Sequence, residues 1–250
     1  MTGSAGDDDF HGLIVNVFTE NSKPRKRGRP AGRTAEGEAA RHRLYTTAIR
    51  LIGEKGYEGA TLRDVARRAG VSAALLYRYF PSKRSVVLAL YDELSDAFTK
   101  RADLSPGKWR DRFVYALELS LRVLGPHRVT LRALAPVMVG DVEEGVFATR
   151  TAFSRARVQS VFQQAVVGAA DAPAKPLDEA LGRLLYLLHL GVILVWLLDR
   201  SSHQRATKSL IALFRQVLPL ATLALRLRPV RGFVVSADSI VAEGLLGERL

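Results

Sequence analysis

The stretch that most constrains the fold of this chain is Thr61 to Phe80, with the sequence TLRDVARRAGVSAALLYRYF. The pattern predicts two short amphipathic helices with a tight turn between them. Thr61 is the expected cap of the first helix, Gly70 allows the left-handed backbone that ends it, and Ser72 caps the second helix. Two such helices, joined by a short turn that contains glycine, are the helix-turn-helix signature. The stretch therefore predicts a DNA-reading unit.

Positive charge is concentrated around this stretch. The net charge of the 250 residues is +12, and residues 23–84 hold 16 lysines and arginines against five acidic residues. Residues 1–22 carry four acidic residues and no lysine or arginine, and the rest of the chain is only weakly basic. A basic excess in one quarter of the chain is typical of a nucleic-acid-binding module. A solvated charged face is the plainer alternative.

An arm at residues 23–33, KPRKRGRPAGR, precedes this stretch and carries six basic residues, two prolines and two glycines. Such a composition cannot build a core and is typical of a disordered segment. Arg27 and Arg29 flank Gly28 as in an AT-hook, in which arginine side chains lie along the narrow minor groove of A·T-rich DNA. A generic phosphate-binding arm would need only the charges, and both interpretations stay open.

The remaining sequence predicts an all-α protein. Apolar residues recur at helical spacing in a first helix at 36–55 and in a longer helix that starts at Lys83. Further helices are expected at 109–124, 127–139, 143–170, 177–200 and 204–228. The predicted organisation is a flexible tail at 1–35 with the arm, a DNA-binding head at 36–82, a helical body at 83–228 and a C-terminal tail at 229–250. In that last tail, only a short strand at 232–235 or a short helix at 239–246 is expected.

Two body helices are apolar on more than one face. The run from Leu184 to Leu198, LLYLLHLGVILVWLL, has 15 residues. A membrane span needs about 20 residues, so a buried helix is expected and no membrane partner. A helix that is apolar all round must be covered on all sides. The expected cover is a second subunit that packs on residues 177–228, and Gly191 would allow a close approach of the helices.

Several classes of chemistry find no support in the sequence. There are no cysteines, which excludes disulfides and thiolate metal sites and favours a reducing, cytoplasmic compartment. His127 and His189 have no second ligand at metal-binding spacing. No Ser-His-Asp set, glycine-rich phosphate loop or pair of carboxylates in a plausible site is present. We therefore expect no metal, no cofactor and no enzyme.

Residues 41–91 resemble the TetR family of bacterial transcription regulators, with GYEGATLRDVARRAGVS and LYRYFPSK in register with the family pattern. The resemblance implies a homodimeric regulator that binds a palindromic operator in double-stranded DNA. We expect a repressor in the cytoplasm, associated with the nucleoid, although the sequence does not distinguish a repressor from an activator, because that depends on the position of the operator. The resemblance also implies a three-helix head, and a larger body that binds a small-molecule effector and forms the dimer. A fourth helix, starting at Ser82, would link the two. The alternative is a largely non-specific architectural DNA-binding protein that uses the basic arm.

The family pattern also implies which residues contact DNA. Phosphate contacts are implied at Thr61, Arg63, Tyr77, Tyr79 and Lys83. Base contacts are implied at Ser72, Ala73, Ala74, Leu75 and Arg78. The chain departs from the family pattern at Ala73 and Leu75, where polar residues are commoner, so methyl contacts with thymine would replace hydrogen bonds. Arg78 is then the one long hydrogen-bond donor among the base-contacting residues. Sequence recognition would therefore depend more on the arm and on the shape of the DNA.

The effector pocket is expected among residues 109–170, where apolar residues are mixed with a few polar groups. The candidates are Trp109, Phe113, Tyr115, His127, Met138, Phe147 and Gln163. Ordinary core packing is the alternative for each of them, and the sequence does not name the effector.

Overall fold

Helices make up most of the described chain. The structure is a computed structural model that describes residues 35–247, and no strand occurs in that range. The helices are α1 Ala35–Gly59, α2 Leu62–Ala69, α3 Ala73–Tyr79, α4 Lys83–Arg101, α5 Trp109–Leu124, α6 Arg128–Gly140, α7 Ala152–Val167, α8 Leu177–Leu198, α9 Arg205–Ala224 and α10 Arg228–Val241. The all-α prediction is confirmed. The arm with Arg27 and Arg29 lies outside the described residues, so its role stays a prediction.

Helices α1 to α3 form the head. Leu44 and Leu51 of α1 are buried in one core with Val65 of α2 and Leu76 of α3. The helical geometry of α1 is interrupted at Gly56, whose φ of 76° lies in the region that favours glycine. The sequence predicts the end of the helix at this residue.

Helix α4 leaves the head and packs in the body against α5 and α7, and α8 completes the body core. The centre of this core is aromatic. Phe98 of α4, Phe113 of α5 and Phe162 of α7 are all buried, and the ring centres of Phe98 and Phe162 are 6.0 Å apart. Because α1 also packs against α6, the head and the body form one compact unit.

The predicted helix at 143–170 is wrong in its first part. Residues 141–148, which we call the 141–148 loop, are not helical, and α7 begins only at Ala152. The carboxylate of Asp141 accepts hydrogen bonds from the backbone N–H groups of Glu143 and Glu144, both at 2.7 Å. Such a local turn competes with helix formation. The turn leaves Glu144 buried.

The predicted C-terminal tail is mostly helical. Helix α10 continues into a π-helical turn at Ala242–Leu246, so the strand considered at 232–235 is wrong. Arg183 of α8 pairs with Asp238 of α10, with 2.8 Å between Nε and Oδ1, and both side chains are largely buried. This ion pair joins residues that are far apart in the chain, and a local pattern therefore cannot reveal it.

Helix α8 is long and apolar enough, by length and composition, to cross a membrane. It has 22 residues and a mean hydropathy of 2.0 in its most apolar window. The 15-residue run considered in the sequence therefore underestimates the length of this apolar helix. The bent pair of α9 and α10 meets the same criterion if it is counted as one span. Half of the α8 window is buried inside the protein, where α8 packs against α6, α7 and α10. Core helices of soluble proteins share this length and composition.

Hydrogen bonds to Asp199 fix the turn between α8 and α9. Its Oδ1 accepts from the backbone N–H and the hydroxyl of Ser201, at 2.8 and 2.6 Å. Its Oδ2 accepts from the same two groups of Thr207, at 2.9 and 2.6 Å. These bonds favour the charged carboxylate and hold the pKa of Asp199 well below its usual range.

We expect Asp199→Asn to lower the thermal unfolding midpoint at neutral pH, because an amide cannot accept all four bonds. The lowered pKa also sets the pH dependence. The stabilisation is complete above the ordinary carboxyl pKa of about 4 and is lost as the pH falls below that value. Thermal unfolding of both proteins between about pH 6 and pH 3 should therefore show a difference that narrows on acidification. A difference of constant size would contradict this account.

Candidate nucleic-acid interface and internal cavity

The helix-turn-helix has the local geometry that its sequence predicts. Thr61 Oγ1 accepts the N–H of Asp64 at 3.1 Å, and Ser72 Oγ accepts the N–H of Leu75 at 3.2 Å. Gly70, with a φ of 67°, ends α2. The two caps satisfy backbone donors that a helix start leaves unpaired. Both helices therefore begin where their sequence indicates.

Helix α3 turns its inner side to the core and its outer side to solvent. Leu76 and the following Phe80 are buried on the inner side. Leu75 and Tyr79 are half-buried. The exposed residues, which we call the α3 face, are Ser72, Ala73, Ala74, Tyr77 and Arg78.

Thr61 and Arg63 are also exposed, at the start of α2, the helix that packs against α3. Apart from Arg27, Arg29 and Lys83, the predicted DNA contacts are thus accessible or half-buried on two adjacent helices. Their contacts with DNA stay predictions.

The arginines of the head are of two kinds. Arg67 and Arg68 pair with acidic residues of α2 and α1, as expected for a solvated face. Arg63 and Arg78 form no ion pair within residues 35–247. An exposed guanidinium without an acidic partner keeps its donors for phosphate or for a base edge. The unneutralised charge of the helix-turn-helix therefore lies on the α3 face and at the start of α2.

Lys83 has internal partners that the sequence does not indicate. Its Nζ donates to the carbonyl oxygen of Tyr57, lies 4.1 Å from the centre of the Tyr57 ring and is 3.8 Å from a Glu58 oxygen. These contacts place the ammonium at the end of α1 and offset the cost of a cation at the start of α4. The phosphate contact predicted for Lys83 would have to compete with them.

A buried carboxylate joins the head to the body. Glu144 is 2% exposed, and the Tyr57 hydroxyl donates to it, 3.0 and 2.8 Å from its two oxygens. Arg84, in the first turn of α4, pairs with both Glu144 and Glu143. Burial, together with the hydrogen bond to Glu144, raises the pKa of Tyr57. We call these four residues the junction. Sequence reasoning missed it because the glutamates fell in a predicted helix.

A partly open cavity of about 120 Å³ lies among helices α4 to α8. Its walls are mostly apolar and include Leu94 and Phe98 of α4, Val123 of α5, Leu131 of α6 and Ile193 of α8. Within the described part of the chain, no group of three or more histidine, aspartate or glutamate residues could hold a metal ion. The arrangement suits a small organic ligand.

The structure brings one of the predicted effector-pocket residues to this cavity, and effector binding by any of them stays a prediction. Of the seven candidates, Met138 lines this cavity. Trp109 and Phe113 are instead fully buried in the core. The wall also uses α4 and α8, which the prediction left out because it considered only residues 109–170.

The other four candidates are not among the residues that line the cavity. Gln163 packs under Gly182 of α8. Tyr115 lies at a surface depression beside residues 103–107. His127 lies in a cleft between α1 and α6, and Phe147 lies in an apolar groove along α8. Met138 lines this groove as well as the cavity, so Phe147 lies next to the cavity, whereas the other three share no site with Met138.

Two polar residues meet at the cavity wall. His189 is 2% exposed, and its Nε2 lies 2.7 Å from Ser120 Oγ. Burial lowers the pKa of His189 to about 3, so its imidazole is neutral. His189 Nδ1 and the Tyr91 hydroxyl, both on lining residues, are buried without a hydrogen-bond partner in the described structure. Such atoms usually have a partner, which a ligand can supply.

The head is similar to known regulators in sequence. The bacterial regulatory proteins of the tetR family match residues 44–90. The HTH-type transcriptional regulator EthR of Mycolicibacterium smegmatis is 31% identical over 119 residues, which cover 46% of this chain and 52% of that protein. The HTH-type transcriptional repressor KstR of the same species is 27% identical over 175 residues, which cover 68% of this chain and 82% of that protein. The chain spans about half the length of the first of these relatives.

The fold is similar to solved structures. A tetR-family transcriptional regulator from Streptomyces coelicolor aligns with a TM-score of 0.56 and 20% identity, over 80% of this chain and 88% of that chain. The TetR transcriptional regulator from Nitrosomonas europaea aligns with a TM-score of 0.52 and 20% identity, over 70% of this chain and 95% of that chain. These likenesses confirm the predicted architecture of a helix-turn-helix head on a larger helical body.

Proposed function

The chain belongs to the TetR family of bacterial transcription regulators, and from this premise we propose that it is a homodimeric repressor that a small-molecule effector releases from a palindromic operator. The relatives named above are transcription regulators, not enzymes. In this role the protein would act in the cytoplasm, on the DNA of the nucleoid.

The observation that carries the proposal is the α3 face. Ala73 and Ala74 are small and exposed, so the backbone of α3 can come close to the base edges. Their methyl groups suit the methyl group of thymine, whereas Arg78 suits guanine O6 and N7 or a phosphate. Burial of Leu76 and the cap at Ser72 hold the helix in a fixed orientation, as a specific reader requires.

Effector release is proposed to act through α4. This helix begins in the head at Lys83, and its Leu94 and Phe98 line the cavity. A ligand in the cavity would thus contact the helix that carries the head. The two heads of a dimer must fit half-sites about 34–36 Å apart, so a small tilt of α4 could end binding. Crystal structures of the dimer with DNA and with ligand would test this mechanism. The same distance between the two heads in both structures would count against it.

Electrophoretic mobility shift tests the proposal. The protein should retard a palindromic fragment from near its own promoter, and its affinity should fall steeply as the salt concentration rises, because phosphate contacts release counterions. Genome-wide mapping of bound DNA would identify the operator and the neighbouring genes. Equal affinity for competitor DNA would contradict the proposal.

Non-specific architectural binding is the second candidate. It is favoured by the basic arm and by Ala73 and Ala74 on the α3 face, whose side chains cannot donate a hydrogen bond to a base. Deletion of residues 1–33 separates the two. A regulator should keep its footprint boundaries with lower affinity, because the α3 face still selects the site. An architectural binder should lose nearly all binding. DNase footprinting of both proteins on the same fragment makes the measurement.

The homodimer is proposed to form through the outer faces of α8 and α9. Leu194 and Leu198 of α8 are exposed, as are Leu213 and Leu220 of α9. Gly191 faces open space, so a second helix could approach it closely. Contiguous apolar surface of this kind marks an interaction site, and two helices from each subunit would form an isologous interface.

Leu220→Asp is expected to convert the dimer to a monomer, because the substitution would bury a carboxylate in the proposed interface. Leu220 is 66% exposed in the single chain. Val142→Asp is the matched control, since Val142 is 90% exposed and lies in the 141–148 loop. Sedimentation equilibrium should report a dimer for the wild type and the control. A dimeric Leu220→Asp protein would rule out this face.

A further inference from the structure

We infer that the cavity among α4 to α8 binds a small organic acid, with an apolar body between the cavity walls and a carboxylate at Arg155. The inference rests on the proposed function and names the chemical class of its effector. Charge, wall chemistry and size each support it.

Arg155 gives the cavity its charge. Among the described lining residues it is the only one that is charged at neutral pH, and none is an aspartate or a glutamate. Its Nη1 donates to the carbonyl oxygens of Val146 and Ala148, both at 3.1 Å. Neither bond uses Nε or Nη2, and Arg155 has no ion pair within residues 35–247. Arginine binds carboxylates through two parallel N–H donors, so the remaining donors can take an acid.

The neighbouring Arg157 shows the contrast. It also lies in the first half of α7, but it pairs with Asp92 and donates to Ser95 Oγ at 3.2 Å. The charge of Arg157 is thus balanced within the protein, whereas that of Arg155 is not. Arg155 also lies in the first turn of α7, where the helix dipole adds positive potential. The site therefore favours an anion and disfavours an ammonium group.

The rest of the cavity suits a compact apolar body. Leu94, Phe98, Val123 and Ile193 provide the walls. Its volume of about 120 Å³ is close to the roughly 150 Å³ of a protein cavity that holds benzene. A body of about six carbon atoms therefore fits without a large rearrangement.

The polar groups of the cavity are compatible with an acid. The neutral imidazole of His189 and the Tyr91 hydroxyl each have an unpaired polar atom, so a hydroxyl or carbonyl group on the acid would gain a partner. Ser120 Oγ, 2.7 Å from His189 Nε2, orients the ring. A cationic ligand would find no carboxylate in the described lining and would be repelled by Arg155.

Isothermal titration of the full chain without DNA tests the inference with two matched series. The first is benzoate, benzamide and benzylamine, and the second is hexanoate, hexanamide and hexylamine. Each series keeps the apolar body and changes only the polar group. We expect the acid of at least one series to bind at least about tenfold more tightly than its amide, and the amines to bind least. Amines that bind as tightly as the acids, or no binding by either acid, would overturn the inference.

Arg155→Gln should reduce acid affinity by at least about tenfold and leave amide affinity unchanged. Arg150→Gln is the control, because Arg150 is exposed and lies outside the cavity lining. Circular dichroism establishes that both variants are folded. Unchanged acid affinity in Arg155→Gln would overturn the assignment, and the wild-type series decides the matter if that variant does not fold.

Operator binding, measured without any acid, separates this inference from the proposed function. A protein that binds its operator but neither acid would overturn the inference and leave DNA recognition intact. A protein that binds an acid without any change in operator affinity would support the cavity assignment and contradict effector release.

Discussion

Ala74→Glu is expected to weaken operator binding about a hundredfold or more without unfolding the protein, because opposed like charges at an interface cost several kcal/mol. Ala74 is exposed in the first turn of α3. A carboxylate there would face the phosphates and base edges of DNA. The same negative charge lies near a helix N-terminus, where it stabilises the helix. DNA affinity and thermal stability should therefore not fall together.

Ala74→Gln is the matched control, because the amide has the size of the carboxylate without its charge. Fluorescence anisotropy with a labelled operator should show a much smaller loss for the glutamine variant than for the glutamate variant. Thermal unfolding should show that both proteins are as stable as the wild type. If the two variants bind DNA equally well, the proposed docking of the α3 face is wrong.

Glu144→Ala should lower the thermal midpoint by about 4–8 °C, which corresponds to roughly 2 kcal/mol in a chain of this size. Glu144 is buried and accepts from Tyr57 and Arg84. Without it, the Tyr57 hydroxyl and part of the Arg84 guanidinium lose their partner in a partly buried place. Leaving buried donors unsatisfied costs about 1–3 kcal/mol per group.

Glu143→Ala is the control for this prediction, since Glu143 lies next in sequence and pairs with the same arginine but is half-exposed. Exposed ion pairs contribute about 0–1 kcal/mol, so scanning calorimetry should show little change. If both variants lose the same stability, then burial is not what makes Glu144 important. If neither loses any, the junction does not hold the head to the body.

Local chemistry made the helix-turn-helix predictable from the sequence. The caps at Thr61 and Ser72 and the stop at Gly70 each depend on residues within four positions of one another, so a short window contains the whole interaction. Family resemblance then placed the head on a helical body. The junction could not be predicted in this way, because Tyr57 and Glu144 are 87 positions apart.

The cavity was harder to predict than the fold. Trp109 and Phe113 have the residue types of a ligand pocket, but they fill the core completely. Ser120 and His189, which line the cavity, look like chance polar residues in apolar helices. Residue type alone does not tell which side of a helix faces empty space. The lone histidine in the most apolar helix was nevertheless a usable signal, since a buried polar side chain needs a hydrogen-bond partner.

The 141–148 loop contacts both the cavity and the base of the head, which limits how the head could be exchanged for that of another protein. Val146 of the loop lines the cavity, whereas Glu144 holds Tyr57 and Arg84 at the base of the head. If the foreign head has no tyrosine at the position of Tyr57, the buried carboxylate of Glu144 loses one of its hydrogen-bond donors. In a chimera that joins a foreign head to this body between residues 82 and 83, the head therefore needs a tyrosine at the position of Tyr57. Otherwise Glu144 of the body has to be replaced.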